Sequence, residues 1–243
     1  MNFFKELRNF IKNILSWIYA LVGFSFLFFI FPLHRPFSLL FFERIKYDLL
    51  PAGVQLIVTN PMSAFLSQMI ISIALALIVI SPFIAFGIVK YLSPALYQKE
   101  KAALLKSIII STPLFIAGCV FSYFFIIPPT FKILYSFTAA MGATPFFTIG
   151  EFVSSVLGII LTIGAMFLLP VFMGVLSWMG IISPEFWRKN WRYAFLVFVI
   201  FSAIITPDGT GITMMMLTIP LIGLYGAGVV VSGKQNYQGR IIR

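Results

Sequence analysis

Six long apolar stretches, separated by short polar turns that hold nearly all of the few charges, constrain this chain most. The hydrocarbon core of a bilayer is about 30 Å thick, and a helix rises about 1.5 Å per residue, so roughly 20 apolar residues cross it. Hydrophobic residues make up 60% of the 243 positions and charged residues 10%, far outside the composition of a soluble domain. The chain is therefore predicted to be an integral membrane protein.

The length of the stretches decides between helices and strands. In lipid every backbone N–H and C=O must be paired internally, which leaves helices or a closed barrel. The stretches are longer than barrel strands and lack strict alternation, so they favour helices. We predict an all-α, polytopic protein that forms a single transmembrane domain over residues 1–243. Its six transmembrane helices are predicted at about 11–31, 62–90, 105–127, 151–181, 193–206 and 212–232.

Proline and glycine mark the ends of several spans. The run Thr206-Pro207-Asp208-Gly209-Thr210-Gly211 predicts a tight reversal, so that the last two spans form a short hairpin. Pro128 and Pro129 are expected to end the third span. Ser183, Pro184 and Glu185 are typical of a helix start, with a capping residue, proline at the first helical position and an acid in the first turn.

The distribution of basic residues predicts the orientation. Thirteen of the 17 Lys and Arg residues fall on the side of the N terminus, and four fall on the other side. Because basic residues concentrate in cytoplasmic loops, both termini are predicted to be cytoplasmic, with loops near 32–61, 128–150 and 207–211 outside. Topology thus accounts for the net charge of +10, and no nucleic-acid partner is expected.

Chemistry-bearing residues are scarce. The single cysteine, Cys119, lies within a span and is expected to be a packing residue, and the single histidine is His34. We expect no metal site, no cofactor and no enzymatic activity. None of the seven acids lies at the centre of a span, whereas secondary transporters commonly place a carboxylate there. A small-molecule or ion transporter remains the alternative to the function described next.

Motifs in every loop resemble those of one known family. In chain order they are Glu6-Leu7-Arg8, Thr59-Asn60-Pro61, Ser93-Pro94-Ala95-Leu96-Tyr97-Gln98-Lys99-Glu100, Trp178-Met179-Gly180-Ile181-Ile182-Ser183-Pro184-Glu185, Thr206-Pro207-Asp208 and Ile219-Pro220 with Leu224-Tyr225. They are similar to motifs of TatC, the polytopic subunit of the twin-arginine (Sec-independent) protein translocase. The resemblance covers residues 3–231.

This resemblance implies a role in protein export from the cytoplasmic membrane of a prokaryote. A TatC-like chain would bind signal peptides that carry two consecutive arginines on folded cargo. It would nucleate a translocation complex with single-span subunits of the TatA and TatB type, as a homo-oligomer within that complex, and transport would draw on the proton motive force. Its helices would form a concave wall whose groove faces membrane lipid and holds the apolar part of the signal peptide.

The resemblance also implies the site residues. Glu6 and Glu100 occupy positions that the family uses to hold the arginines, and carboxylates can bind guanidinium groups through two charge-assisted hydrogen bonds. The signal-peptide site would be completed by flanking Arg8 and by Tyr91, Pro94 and Tyr97 in its floor. Contact with partner subunits would involve Thr206, Thr213 and Met214.

At three positions this chain lacks an acid that the family pattern has. Leu168 stands where the fourth span of the family has a glutamate, Ser63 replaces an acid near the start of the second span, and Gly226 replaces one after the tyrosine of the sixth. We therefore expect partner docking to be more apolar here than is typical of the family.

Overall fold

A computed structural model describes residues 3–32, 34–50, 54–92, 98–142, 146–206 and 211–240. In chain order these ranges contain α1 (Phe3–Ile30), α2 (Phe37–Leu49), β1 (Gln55–Ile57), α3 (Pro61–Leu92), α4 (Gln98–Phe121), a π-helical turn (Ser122–Ile126), α5 (Ile127–Ala140), β2 (Phe146–Thr148), α6 (Ile149–Phe167), α7 (Leu169–Trp178), α8 (Pro184–Lys189), α9 (Trp191–Ile205) and α10 (Ile212–Arg240).

The apolar helices confirm the predicted fold class of a mostly helical, polytopic membrane protein. Stretches long and apolar enough to cross a bilayer are Pro61–Ile84, Ile109–Ala140, Ile149–Trp178 and Ile212–Gly233. Two shorter apolar helices are Leu15–Ile30, within the predicted first span, and Trp191–Ile205, which overlaps the predicted fifth span. The number of six crossings and the cytoplasmic location of both termini remain predictions.

The chain divides into two compact units, and the first comprises Met1–Pro94 and Phe137–Gly158. Here α1 packs along α3, with the ring of Phe29 edge-on to that of Phe65 at a centroid distance of 5.5 Å. The side-chain amide of Gln68 on α3 donates to the carbonyl of Phe29 and to Ser38 Oγ, both at 3.3 Å. One glutamine side chain thus joins α3 to the end of α1 and the start of α2.

Two features of the first unit lie inside predicted loops. Helix α2 occupies the middle of the loop expected near 32–61, and it buries Ser38, Ile45 and Leu49. Strands β1 and β2 pair in parallel, with Gln55 opposite Phe146 and Ile57 opposite Thr148. The small sheet was not anticipated by the all-helical prediction, because strands of three residues carry too little periodicity to detect.

Side-chain caps explain where two helices of this unit begin. Asn60 Oδ1 accepts a hydrogen bond from the Met62 N–H at 3.0 Å, and Pro61 occupies the first position of α3. At α6, Thr148 Oγ1 accepts from the Glu151 N–H and donates to the Glu151 carboxylate at 2.7 Å. Both arrangements satisfy N–H groups that a helix leaves unpaired at its start.

The second unit comprises Ala95–Ser136 and Ile159–Arg243. Its α10 packs against α7 and α9, and Leu217 and Leu221 of α10 are fully buried. The predicted capping of α8 is confirmed, since Ser183 Oγ accepts from the Phe186 N–H at 3.3 Å and Pro184 is the first helical residue.

The expectation that Pro128 and Pro129 end the third helix is wrong, because α5 continues to Ala140. In a regular α-helix, a proline ring clashes with the carbonyl four residues earlier. The π-helical turn directly precedes the prolines, and there the Ile127 N–H donates to the carbonyl of Ser122, five residues earlier. This wider turn shifts the hydrogen-bond register ahead of the prolines, so the helix passes through them with a local distortion.

Candidate functional site

The structure gives the backbone positions of several residues of the predicted signal-peptide site. Glu6 and Arg8 lie near the start of α1, and Tyr91 lies at the end of α3. Glu100 is the third residue of α4. The side chains of these four residues lie outside the described part of the structure, as do Pro94 and Tyr97 entirely.

The two glutamates share a position relative to their helices. Each lies close to the described N-terminal end of a helix, where the helix dipole favours a negative charge. A carboxylate at such a position is an electrostatically suitable partner for a guanidinium group. By the predicted topology, α1 and α4 both enter the membrane from the cytoplasm, so both carboxylates are predicted on one side.

The second predicted cytoplasmic loop is described in full and is held by specific contacts. Gly180 ends α7 with φ of +69°, a value that favours glycine because it lacks Cβ. The Ile181 N–H donates to the carbonyl of Leu176, and the Gly180 N–H donates to that of Ser177. This pairing is a Schellman motif, which fixes the direction in which the chain leaves the helix.

Trp187 is the centre of the contacts that hold α8. Its indole N–H donates to Ser177 Oγ at 3.0 Å, and its carbonyl accepts from the hydroxyl of Tyr225 at 2.7 Å. The ring of Tyr225 also lies edge-on to Phe198 of α9 at a centroid distance of 5.9 Å. Tyr225, part of the Leu224-Tyr225 motif, therefore ties α10 to both α8 and α9.

The predicted partner-contact residues lie around the turn between α9 and α10. Thr206 and Thr213 are buried, with 4% and 1% of their surfaces exposed, and Met214 is half-buried. Thr206 Oγ1 donates to the carbonyl of Ser202 at 2.8 Å, so its hydroxyl is already paired within α9. Among the described neighbours, Ile204 and Ile212 are exposed apolar side chains.

The α9–α10 hairpin contains a buried pair of hydroxyl groups that was not predicted from the sequence. Thr218 Oγ1 of α10 lies 3.0 Å from Ser202 Oγ of α9, and each residue is at most 1% exposed. In an apolar environment a hydroxyl bond between helices helps to orient them, and Thr218 Oγ1 also lies 2.8 Å from the carbonyl of Met214 in its own helix. The sequence feature that could have indicated a polar contact is the four-residue spacing of Ser202 and Thr206, which places both on one face of a largely apolar helix.

The structure describes the surroundings of the three positions that lack the family's acids. Ser63 Oγ donates to the carbonyl of Asn60 at 2.6 Å and so forms part of the α3 start. Leu168 lies at the junction between α6 and α7, immediately before the first residue of α7. A Cβ at Gly226 would meet nothing within 4 Å. Within the described ranges, no group of three or more His, Cys, Asp or Glu residues is placed to hold a metal ion.

Comparison with known proteins identifies the family. The family model of TatC, the Sec-independent protein translocase protein, matches residues 2–220. This chain belongs to the TatC family. Among curated TatC proteins, that of Cenarchaeum symbiosum is 38% identical over 194 residues, covering 80% of this chain and 74% of the relative. The TatC of Aquifex aeolicus is 32% identical over 225 residues, covering 91% of this chain and 89% of the relative.

Solved structures agree with the TatC assignment. A crystal structure of the twin-arginine translocase receptor TatC superposes with a TM-score of 0.76 at 29% identity, covering 93% of this chain and 97% of that chain. A second TatC receptor structure, in the detergent DDM, gives a TM-score of 0.78. With its long apolar helices and archaeal and bacterial relatives, this TatC-family chain is a multi-pass protein of the prokaryotic plasma membrane and a component of the Sec-independent protein translocase.

Proposed function

We propose that this chain is the subunit of the translocase that receives twin-arginine signal peptides at the cytoplasmic face. The observation that carries the proposal is the match to TatC over residues 2–220. The segments around Glu6 and Glu100 resemble two motifs of that family, which supports assigning these acids to recognition. Its role is to bind and assemble, not to catalyse a reaction.

The chemistry of recognition follows from the charges of the two motifs. Glu6 is flanked by Lys5 and Arg8, and Glu100 by Lys99 and Lys101, so each acid stands in a basic segment. A ligand with paired arginines is repelled by those cations and attracted by the two carboxylates alone. Arginine binds a carboxylate through two parallel hydrogen bonds, which lysine cannot do, so the site distinguishes Arg-Arg from Lys-Lys.

We propose a second site for the single-span partner subunits at the α9–α10 hairpin. Thr206, Thr213 and Met214 would lie at this contact. The support is the exposed apolar surface around the turn, since Ile204 is 75% exposed and Ile212 is 60% exposed. With the family's acids absent at Leu168 and Gly226, docking relies on shape and apolar contact more than on charge.

The recognition proposal is tested by peptide binding to the purified, full-length protein. A labelled signal peptide with Arg-Arg is titrated against the unmodified protein and the variants Glu6→Gln, Glu100→Gln and the double variant. Loss of a hydrogen bond to a charged group is worth about 1.5–3 kcal/mol, so each single variant should weaken binding roughly 10- to 100-fold. Substituting Lys-Lys in the peptide should weaken binding to the unmodified protein to a similar degree.

The matched control is Glu185→Gln, which removes an exposed acid from the start of α8 on the same predicted side of the membrane. This control variant should bind the peptide as the unmodified protein does. An affinity that is unchanged in the double variant, or lowered equally by Glu185→Gln, would contradict the proposed site. Solute flux through liposomes containing this chain alone would instead support the alternative of a small-molecule or ion transporter.

A further inference from the structure

Residues 184–193, called here the α8 segment, combine exposed cations with exposed aromatic rings. Arg188, Lys189 and Arg192 are all exposed, and the segment's single acid is Glu185. Among the described residues, none of these three cations forms an ion pair with a carboxylate. A concentration of exposed positive charge beside a single acid is suited to an external anion.

Aromatic residues of the α8 segment are placed among these cations. Phe186, Trp191 and Tyr193 have 50%, 55% and 70% of their surfaces exposed. The guanidinium carbon of Arg192 lies 5.7 Å from the centre of the Trp191 ring, a cation–π distance. Tryptophan and tyrosine are enriched at the level of lipid headgroups because their rings are apolar and their polar atoms reach water.

The α8 segment is held in position by the rest of its unit. Ser183 caps its start, the Trp187 indole N–H bonds to Ser177 Oγ, and the Tyr225 hydroxyl bonds to the Trp187 carbonyl. These contacts join the segment to α7 and α10. The cations are therefore presented from a preorganised backbone, which lowers the entropic cost of binding a ligand.

Position along the chain indicates which anion is within reach. The segment connects α7, which completes the apolar stretch Ile149–Trp178, to α9, which is apolar throughout Trp191–Ile205. Both neighbours are predicted to enter the hydrocarbon, so the segment is predicted to lie at the membrane surface, on the cytoplasmic side. Anionic headgroups there attract basic residues at about 1 kcal/mol per Lys or Arg.

We propose that the α8 segment binds the headgroup of an anionic phospholipid. Arg188, Lys189 and Arg192 would contact the phosphate and neighbouring anionic groups, while Trp191 and Tyr193 would lie among the upper acyl chains. An acidic protein is the weaker fit, because the six residues of α8 offer little area for a protein interface. This site is separate from Glu6 and Glu100 and does not depend on signal-peptide recognition.

The test measures lipid retention by the full-length protein. The purified protein in neutral detergent is titrated with phosphatidylglycerol or phosphatidylcholine, and bound lipid is counted by native mass spectrometry. The triple variant Arg188→Gln/Lys189→Gln/Arg192→Gln should lose phosphatidylglycerol affinity about tenfold or more, given the contribution of each cation. Its phosphatidylcholine retention should be unchanged, and the loss should shrink at high salt.

A matched control removes the same charge elsewhere. The variant Arg35→Gln/Lys46→Gln/Lys132→Gln also loses three exposed cations, all on the opposite predicted side of the membrane. It should retain phosphatidylglycerol as the unmodified protein does. Equal loss in both triple variants, or no preference of the unmodified protein for phosphatidylglycerol over phosphatidylcholine, would overturn the proposal.

Two further measurements keep the result interpretable. Circular dichroism and the thermal midpoint of unfolding establish whether the triple variant is folded. If it is not folded, the single variant Arg192→Gln replaces it in the lipid titration. The single variant should bind phosphatidylglycerol severalfold more weakly than the unmodified protein. Binding of an acidic peptide that depends on the same three cations, without a preference among lipids, would assign the segment to a protein partner and overturn the lipid site.

Discussion

Gly118 and Gly164 bring α4 and α6 so close that neither position has room for a methyl group. A Cβ at Gly118 would lie 2.7 Å from Phe167 Cγ and 2.9 Å from the Cα of Gly164. A Cβ at Gly164 would lie 2.6 Å from Cys119 Sγ. Small residues allow such backbone approach in membranes, where packing takes over from the hydrophobic effect as the main attraction between helices. The predicted packing role of Cys119 agrees with its burial against this contact.

We expect Gly118→Ala to destabilise the protein by about 1–3 kcal/mol, because the obstacle includes backbone that cannot move aside. The measurement is the unfolding midpoint in detergent. Gly223→Ala is the matched control within α10, since a Cβ there would meet nothing within 4 Å. Alanine favours a helix over glycine by up to about 1 kcal/mol, so the control should be neutral or slightly stabilising. Equal effects of the two substitutions would show that the close contact is not formed.

At the scale of elements, the last hairpin is built from two unequal helices. The 15 residues of α9 reach only about 22 Å, less than the hydrocarbon thickness of about 30 Å. The apolar part of α10 has 22 residues, enough to cross fully. The shortness predicted for this hairpin is thus confined to α9, and local thinning of the bilayer is the physical consequence that we expect.

The hairpin makes a specific prediction about partner binding. Thr206→Leu removes the hydroxyl that closes the last turn of α9 and adds volume at a buried position, so it should displace the exposed residues nearby. We expect recovery of single-span partners in a pull-down to fall by about tenfold, equivalent to about 1.4 kcal/mol. Thr138→Leu on α5, also near the end of an apolar helix, is the control and should leave recovery unchanged. Full recovery with Thr206→Leu would count against this contact site.

For the whole molecule, orientation is the property that the proposed function needs most. The carboxylates of Glu6 and Glu100, which are proposed to bind the signal peptide, must face the cytoplasm, and the distribution of Lys and Arg predicts that they do. The same distribution places α2 and the β1–β2 pair on the outside. Arg44 and Asp48 form an ion pair of 3.0 Å in the last two turns of α2.

Cysteine labelling tests this topology with little background, because the single native thiol, Cys119, is 7% exposed. In right-side-out vesicles, a membrane-impermeant maleimide should label Tyr47→Cys, whose native side chain is 82% exposed on α2. It should label Lys189→Cys on α8 only after the vesicles are permeabilised. The unmodified protein is the control for reaction at Cys119. Labelling of both positions from one side would contradict the predicted orientation.

Much of the architecture was readable from local sequence. The apolar helices, the capped start of α8 at Ser183 and the family were all predicted correctly. Each depends on residues that are adjacent in the chain or on motif order. The clamp formed by Glu6 and Glu100 stays a prediction, since their side chains lie outside the described residues.

Bilayer thickness and the need to pair every backbone group act on each stretch of the chain separately, so sequence alone determined that this protein spans a membrane as helices. Tertiary structure decided what depends on residues far apart. Such features are the parallel pairing of β1 with β2, the continuation of α5 past its prolines, and the burial of Thr206 at the end of α9. Their energies come from contacts between distant segments, and those contacts exist only once the helices have packed.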